Sequence, residues 1–422
     1  MAKSTDNKKN IIIVGGSYAG VSTAHYLLKH VLPLLDDTHQ VLLISSSTQV
    51  FSRPACPRAM ISDAYFDQAK LFVDLASQFR QYPAASFRFV HAAVTAVTAP
   101  SASRTVSFRL LSGDQKGSAE SITYHSIVLA TGSAAASPLH GLPAGGDVVS
   151  LKAAWSAFRA ALPAARRIVI AGGGPSGVET AGELGEHLNG RVSSSWIPFV
   201  ERENKKPKVE IILVTGGERI LPFLREDVAA RAERYLAALG VRVVKCARVV
   251  GVSPPGAGEE NDTRVAERAS VTLDSGDVLE ADLYIPCTGT RANTGYIAER
   301  GWLAGDGRVE TDPRTLRVER AGAGVYAIGD VSSFARPAIH NITEAVPVLG
   351  SVMKRDLLGT GEEREFREDM RKSQFVPVGR SKGVGLAMGW KVPSFIVWLV
   401  KGRDYWLWTT PALWSGKQWA KE

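Results

Sequence analysis

Ile11-Ile12-Ile13-Val14-Gly15-Gly16-Ser17-Tyr18-Ala19-Gly20 is an apolar, β-branched run that breaks into a glycine-rich turn and then into a helix-forming stretch. Ile168-Val169-Ile170-Ala171-Gly172-Gly173-Gly174-Pro175-Ser176-Gly177 repeats the arrangement later in the chain. In such a motif the first glycine makes a tight turn and the second lets the backbone approach a pyrophosphate. The third lets helix and strand pack closely, and the helix N-terminus turns its positive end to the phosphates. One such turn says little by itself. Two in strand–turn–helix context imply two dinucleotides bound at once, an arrangement suited to hydride transfer between a nicotinamide and a flavin.

The 422 residues suffice for two or three domains, and 45% hydrophobic with 22% charged residues is a globular composition. The formal charge of +8 is a modest excess. Without a long Lys/Arg block it argues against nucleic acid and leaves attraction to anionic cofactors or acidic lipid open. The three cysteines, Cys56, Cys246 and Cys287, make no CxxC or zinc spacing, so no metal is expected and a reducing, cytoplasmic setting is favoured. Met1 to Asn10 is polar and Lys-bearing, unlike a signal peptide. Position 2 is Ala, whereas N-myristoylation needs Gly. No apolar run is long enough to span a bilayer. A soluble or peripheral protein is expected.

After the first turn, Val21 to Leu32 reads as a helix stopped by Pro33, and Val41 to Ile44 as the second strand of a βαβ unit. That strand ends in Ser45, where an acid often holds the adenosine ribose. Strands at 87–98, 106–111 and 124–129 lead to Ala130-Thr131-Gly132-Ser133, a small-residue turn where backbone can pass close to a ligand. The second series has a helix at 178–188, a polar insertion from Asn189 to Lys208 and a strand at 209–214. A helix at 226–239 and strands at 241–244, around Val271 and around Leu283 follow, and the series closes on Cys287-Thr288-Gly289-Thr290. One plan is repeated, which predicts an α/β protein with two Rossmann-like dinucleotide-binding domains. Val325 to Asp330 is then an apolar strand ending in Gly-Asp, which puts a carboxylate within reach of a ligand hydroxyl.

These residues together resemble the pyridine nucleotide-disulphide reductase-like flavoproteins. Within them the likeness is to the apoptosis-inducing-factor-like, ferroptosis-suppressor group, with type II NADH:quinone oxidoreductases as cousins. It is carried by Gly172 to Glu179, by Val325 to Asp330, and by a tail with Gly383-Val384-Gly385 and Lys401-Gly402-Arg403-Asp404. The resemblance implies FAD on the first turn and NAD(P)H on the second, with the NAD(P) domain inserted in the FAD domain. The expected parts are 1–140 and 311–375 for FAD, 141–310 for NAD(P)H, and a C-terminal segment at 376–422. Gly15, Gly16, Ser17, Tyr18, Ala19 and Gly20 would hold the FAD pyrophosphate, Val94 the adenine and Asp330 the ribityl chain. Arg58, in Cys56-Pro57-Arg58-Ala59, would contact the flavin cofactor, and Thr131 and Gly132 would lie against it. Gly172, Gly174, Pro175, Ser176, Gly177, Thr215 and Gly289 would hold NAD(P)H, with Glu179 beside the nicotinamide. Ser17 departs from the pattern in replacing the second glycine of the first turn. A lysine that the family places after the Gly-Asp strand is not evident in Arg336-Pro337-Ala338-Ile339-His340-Asn341.

Hydride transfer between two held rings needs neither nucleophile nor metal; the protein supplies orientation and electrostatics. A donor near N1 of the reduced flavin would help, and His340 is the candidate by position. Glu179 and His340 are therefore the expected catalytic residues. The second strand of the nicotinamide half ends at Val214-Thr215 and not in an acid; Arg219 favours a 2′-phosphate and Glu218 opposes it, so NADH and NADPH both stay open. Six of nine tryptophans fall from Trp390 onward, interleaved with Lys391, Lys401, Arg403, Lys417 and Lys421. That pattern suits a membrane interface and a lipid-soluble quinone acceptor; the alternative is a tail packed on the body or on a twin subunit. On the interfacial reading, removing Pro393 to Glu422 should weaken liposome binding and turnover with long-tailed quinones and affect flavin reduction less. Two rival functions remain: a disulphide or peroxide reductase using Cys56 alone, and a non-enzymatic flavoprotein gated by NAD(P)H.

Overall fold

The computed structural model describes residues 8–35, 37–99, 101–190, 207–259, 264–371 and 373–421. The strand Lys9–Val14 runs parallel to His39–Ser45 on one side and to Ser126–Leu129 on the other. Ile11, Ile12 and Ile13 are all fully buried, as a continuous apolar run must be in a parallel strand covered on both faces. The sheet extends to seven strands, in the order Val325–Ala327, Ser126–Leu129, Lys9–Val14, His39–Ser45, Phe87–Val97, Thr105–Leu110 and Ala119–Thr123. The strand ending in Gly329-Asp330 thus returns to the sheet that the chain began.

The second unit repeats the plan. Arg167–Ala171 lies between Glu210–Val214 and Leu283–Pro286, with Val241–Val244 at the edge, all parallel. Helices Pro175–Asn189 and Glu226–Ala238 pack on one face of this sheet. An antiparallel sheet of Val249–Ser253, Ala269–Leu273 and Val278–Ala281 packs on the other. The segments that follow the two Thr-Gly turns, Ser133–Ala135 and Thr290–Ala292, pair antiparallel and join the units. This is a doubly wound α/β fold with the second unit inserted in the first. The chain re-enters the first unit well before residue 310: the Tyr296 carbonyl accepts from Val97 N–H at 3.2 Å, and Ile297, Trp302 and Val309 are buried in the first core.

The first helix is shorter than its sequence pattern predicts. The first helix begins at Tyr18 and keeps α geometry only to Tyr26; Leu27–Val31 is a wider π turn and Leu32–Leu34 a 3₁₀ turn containing Pro33. Proline lacks the N–H that would continue the ladder and crowds the carbonyl four residues back, so the chain loosens before it. Most of the insertion from Asn189 to Lys208, and all but the end of Met1 to Asn10, lie outside the described residues.

The C-terminal segment is largely packed on the body. Gln374–Val378, Lys382–Ala387 and Trp390–Lys391 form a three-stranded antiparallel sheet beside the helix Pro175–Asn189. Trp414 and Trp419 are buried against the first helix. That helix holds the tail by its polar side: His25 Nε2 and His30 Nε2 bond to the carbonyls of Trp414 and Trp419, at 2.8 and 2.9 Å, and Lys29 Nζ donates to that of Gly416. Trp390, Phe395, Trp398, Leu399 and Trp408 stay exposed.

Candidate functional site

A single cleft of about 720 Å³ lies between the two glycine turns and is lined by both units. The turns are built alike. Gly15 and Gly172 have φ of +115° and +120°, the left-handed region that favours glycine, and a Cβ on either would collide with backbone. The obstacles are Ala130 O and Cys287 O, the residues that open the two Thr-Gly turns. Gly20 and Gly177 are needed for another reason. A Cβ there would strike the carbonyl of Gly15 or Gly172, so each third glycine closes the helix onto the turn itself.

On the first unit's side the lining includes Gly15, Gly16, Ser17, Tyr18, Ala19, Val94, Thr131, Gly132 and Asp330. Ser17 sits at the cap of the helix Tyr18–Tyr26 with φ −122°, a conformation any residue adopts, so the missing glycine strains nothing. Asp330 Oδ2 accepts from Ser133 Oγ at 3.0 Å and lies 3.9 Å from Arg53 Nη1. Arg53 also donates to the carbonyls of Ser133 and His140, at 2.8 and 3.1 Å. The helix Ile339–Leu358 starts at the cleft, with Pro337, Ala338 and Ile339 in the lining and no side-chain cap on Ala338. Its positive end is therefore turned to the cleft.

From the second unit Pro175, Ser176, Glu179, Pro286, Cys287, Gly289 and Thr290 complete the walls. Gly172, Gly174, Gly177 and Thr215 are not in the lining; Gly172 and Gly177 shape the turn, and Thr215 packs against Gly173. Open space beside Gly132, Gly174 and Gly289, where a Cβ would meet nothing, leaves room for ligand close to backbone. An elongated cleft with a glycine turn at each side, hydroxyls at Ser45 to Ser47, and a carboxylate and a helix N-terminus further along fits FAD with a nicotinamide coenzyme beside it.

Two expected site residues are elsewhere. His340 is exposed and outside the lining. On the helix Ile339–Leu358 the residues three apart, Ile339 and Ile342, face the cleft, and a step of one residue turns His340 away. Arg58 is buried and also outside the lining: its Nε and Nη2 bond to the two oxygens of Glu183 at 2.9 and 2.8 Å, and Nη1 to the carbonyl of Arg403. Burial opposes its charge, but Glu183 holds the Arg58 pKa above its ordinary value. The arginine that lines the cleft is Arg53.

The tail supplies what the sequence reading lacked. Lys401 Nζ donates to Glu179 Oε1 at 2.6 Å and to Phe375 O at 3.2 Å, and both residues of the pair line the cleft. Burial pushes the Glu179 carboxyl up, and the Lys401 charge works against that rise. Trp406, also in the lining, has its ring centroid 4.8 Å from Lys401 Nζ. Tyr405 and Trp406 are consecutive left-handed residues with φ of 53° and 64°, strain of a kind that tends to sit at working sites. Tyr405 Oη donates to Glu183 Oε1 at 3.0 Å. Glu179, Glu183 and Glu186 thus line one buried face of their helix, and three separate segments bring cations to them: Lys401, Arg58 and Arg380. The available signal was one lysine after the apolar run Phe395 to Val400, in a segment otherwise suited to burial or an interface.

Cys56 is 1% exposed, outside the lining, and its thiol is pushed up to about 12 by burial, which suits an inert residue better than a nucleophile. Cys287 does line the cleft, 3.9 Å from His140 Nε2, but burial raises its thiol to about 12 as well. Among the described residues no group of three His, Cys, Asp or Glu is placed to hold a metal ion.

The sequence profile of the pyridine nucleotide-disulphide oxidoreductases matches residues 9–348. Oxidoreductase phnG of Penicillium herquei is 53% identical over 429 residues, covering 100% of this chain and 99% of that protein. Ferroptosis suppressor protein 1 of Homo sapiens is 24% identical, over 94% of this chain and 93% of its own. Among solved structures, NDH2 from Plasmodium falciparum superposes with a TM-score of 0.68 at 14% identity, covering 98% of this chain and 100% of that one, a likeness of fold.

Proposed function

The chain belongs to the pyridine nucleotide-disulphide oxidoreductase family and uses FAD and NAD(P)H, and from that premise we propose that it passes reducing equivalents from NAD(P)H through FAD to a quinone-type small molecule. The observation that carries the reading is the buried Lys401–Glu179 pair, which closes the cleft between both glycine turns from the tail side. FAD, when bound, supplies the two-electron chemistry that no side chain can. The first unit's residues would orient it: the amides after Gly15 would hold the pyrophosphate, Asp330 would take ribityl hydroxyls, and the helix start at Ala338 would offer positive potential to the ring. Pro175, Ser176 and Gly289 would hold the coenzyme on the other side. Reducing a quinone to a hydroquinone with NAD(P)H takes the hydride and one further proton on oxygen. Lys401 Nζ, held at the Glu179 carboxylate, is the positioned donor of that proton. The Trp406 ring lies beside them in the lining.

An acceptor of this class favours a peripheral membrane position, which the tail supports. Along the helical stretch Ser394–Val397 and Trp398–Gly402, Phe395, Trp398 and Leu399 are exposed while Val397 and Lys401 are buried on the opposite side. An apolar surface and the cleft therefore lie on two sides of one short element. Among the described residues no helix is long and apolar enough to cross a membrane.

The test is anaerobic reduction of the bound flavin by NAD(P)H, followed by mixing with quinones, oxygen or disulphides. Fastest reoxidation by a quinone, unchanged in Cys56→Ser, is expected. Fastest reoxidation by a disulphide, with loss of that activity in Cys56→Ser, would establish the thiol reading in its place. A reduced flavin that no acceptor reoxidises catalytically would favour the gated, non-enzymatic one.

A further inference from the structure

The turn after the strand Glu210–Val214 is shaped around an arginine that lies far from it in sequence. Thr215 ends this strand and fills the space beside Gly173, as Ser45 fills the space beside Gly16 in the first unit. The two places are equivalent, and the residues just beyond them are where the adenosine riboses of the two dinucleotides are read. Beyond Ser45 come Ser46 and Ser47, whose hydroxyls donate to the carbonyls of Gly146 and Gln49. Beyond Thr215 come Gly216 and Gly217.

Gly216 does not have a left-handed φ, so its backbone does not demand glycine. Space does. A Cβ there would lie 2.9 Å from Arg248 Cγ and 3.0 Å from Arg248 Nε, so the arginine stem occupies the side-chain position of the turn. Two backbone bonds fix that contact: Cys246 N–H to Gly217 O at 3.0 Å and Ala247 N–H to Thr215 O at 3.1 Å. Asp274 accepts from the Arg248 backbone N–H at 3.0 Å, and among the described residues the Arg248 guanidinium forms no ion pair. Arg219, in the same turn, donates to Pro222 O at 3.3 Å and has no carboxylate partner among the described residues. Glu218 is the one acid in the turn, set against two guanidinium groups.

We propose that Arg248, with Arg219, forms the binding site for the 2′-phosphate of the coenzyme, so that NADPH is preferred over NADH as hydride donor. The inference rests on reading the second glycine turn as the NAD(P)H site. A ribose diol calls for a carboxylate at the strand end, where this chain has Thr215. A 2′-phosphate calls for the planar, multiply donating cation that Gly216 makes room for.

Calorimetric titration of the FAD-loaded protein with adenosine 2′,5′-bisphosphate and with 5′-AMP tests the site without turnover. The bisphosphate should bind about tenfold or more tightly, the size expected for charge-assisted bonds to one phosphate. Arg248→Ala should remove most of that preference and leave 5′-AMP binding as it was. Gly216→Ala, which displaces the stem, should act in the same direction, and Arg248→Lys should keep part of the effect. Equal affinities in the unaltered protein, or a preference that survives both Arg248→Ala and Arg219→Ala, would overturn the proposal. Anaerobic mixing separates it from the parent reading. Flavin bleached by neither coenzyme sinks the hydride-transfer function, whereas bleaching at lower NADH than NADPH concentration sinks only the 2′-phosphate site.

Discussion

Lys401 and Glu179 are a buried pair that neither residue's neighbours in sequence announce. Their side chains are 10% and 5% exposed, so each charge depends on the other for compensation. Breaking such a pair by removing one partner costs about 3–5 kcal/mol, because the survivor is left charged in a poorly solvated place. Lys401→Met should therefore lower stability by roughly that amount. Lys401→Met with Glu179→Gln should recover most of the loss in denaturant titration. Neither variant should regain quinone turnover if Lys401 supplies the proton, while flavin reduction by NAD(P)H changes less. A double variant that restores turnover together with stability would reduce the pair to a structural bridge. Arg58 shows the opposite case: a motif position matched the resemblance, but the folded chain commits its guanidinium to Glu183.

The first helix does two jobs at the scale of an element. Its N-terminal turn faces the cleft, and its last turns, through His25, Lys29 and His30, hold the carbonyls of the tail. His25 is fully buried, stacked on Phe79 at 4.2 Å and bonded to Tyr82 Oη and Trp414 O. Burial holds its pKa down at about 4 from an ordinary 6.5, against the rise that Trp414 O favours. Between those values the unfolded chain binds a proton that the fold refuses, so stability falls as pH drops from 6.5 towards 4 and loses nothing further from this residue below that. The full contribution is on the order of 3 kcal/mol. His140, lowered by burial to about 4, acts in the same window. Unfolding free energy measured from pH 7 to 4 should show this decline, and His25→Gln should reduce its slope by close to one proton. An unchanged slope would mean that His25 is protonated in the folded protein.

At the scale of the whole molecule the tail is both wall and surface. Because Trp414 and Trp419 are buried in the first core and Lys401 neutralises Glu179, removing Pro393 to Glu422 should expose apolar surface and leave a buried carboxylate unpaired. Aggregation or loss of flavin is the expected result, which corrects the expectation that flavin reduction is the less affected step. The interfacial role is better tested on the exposed face. Phe395→Glu with Leu399→Glu should leave folding and flavin reduction unchanged, yet weaken binding to anionic vesicles and turnover with long-tailed quinones. Vesicle binding should also fall with salt, since the lipid contacts of Lys and Arg are screened within about 8–10 Å. Wild-type protein that ignores anionic vesicles at low salt would exclude the role.

The two strand–glycine-turn–helix units and the return of Val325 to Asp330 are readable along the chain, because each is a local pattern. Apolar runs, turn glycines and their order need no knowledge of distant neighbours. The same locality made Thr131, Gly132 and Asp330 legible as cleft residues, since each follows a strand end, whereas Val94 and Glu179 were assigned through the resemblance. Helix phase, by contrast, turned His340 away from the cleft although its position along the chain is right. Only the tertiary structure brought Lys401, 222 residues from Glu179, into a buried pair, and laid Arg248 over Gly216. Both depend on how separate elements pack and which buried charge must find a partner, and burial is a property of the folded whole that no stretch of the chain carries alone.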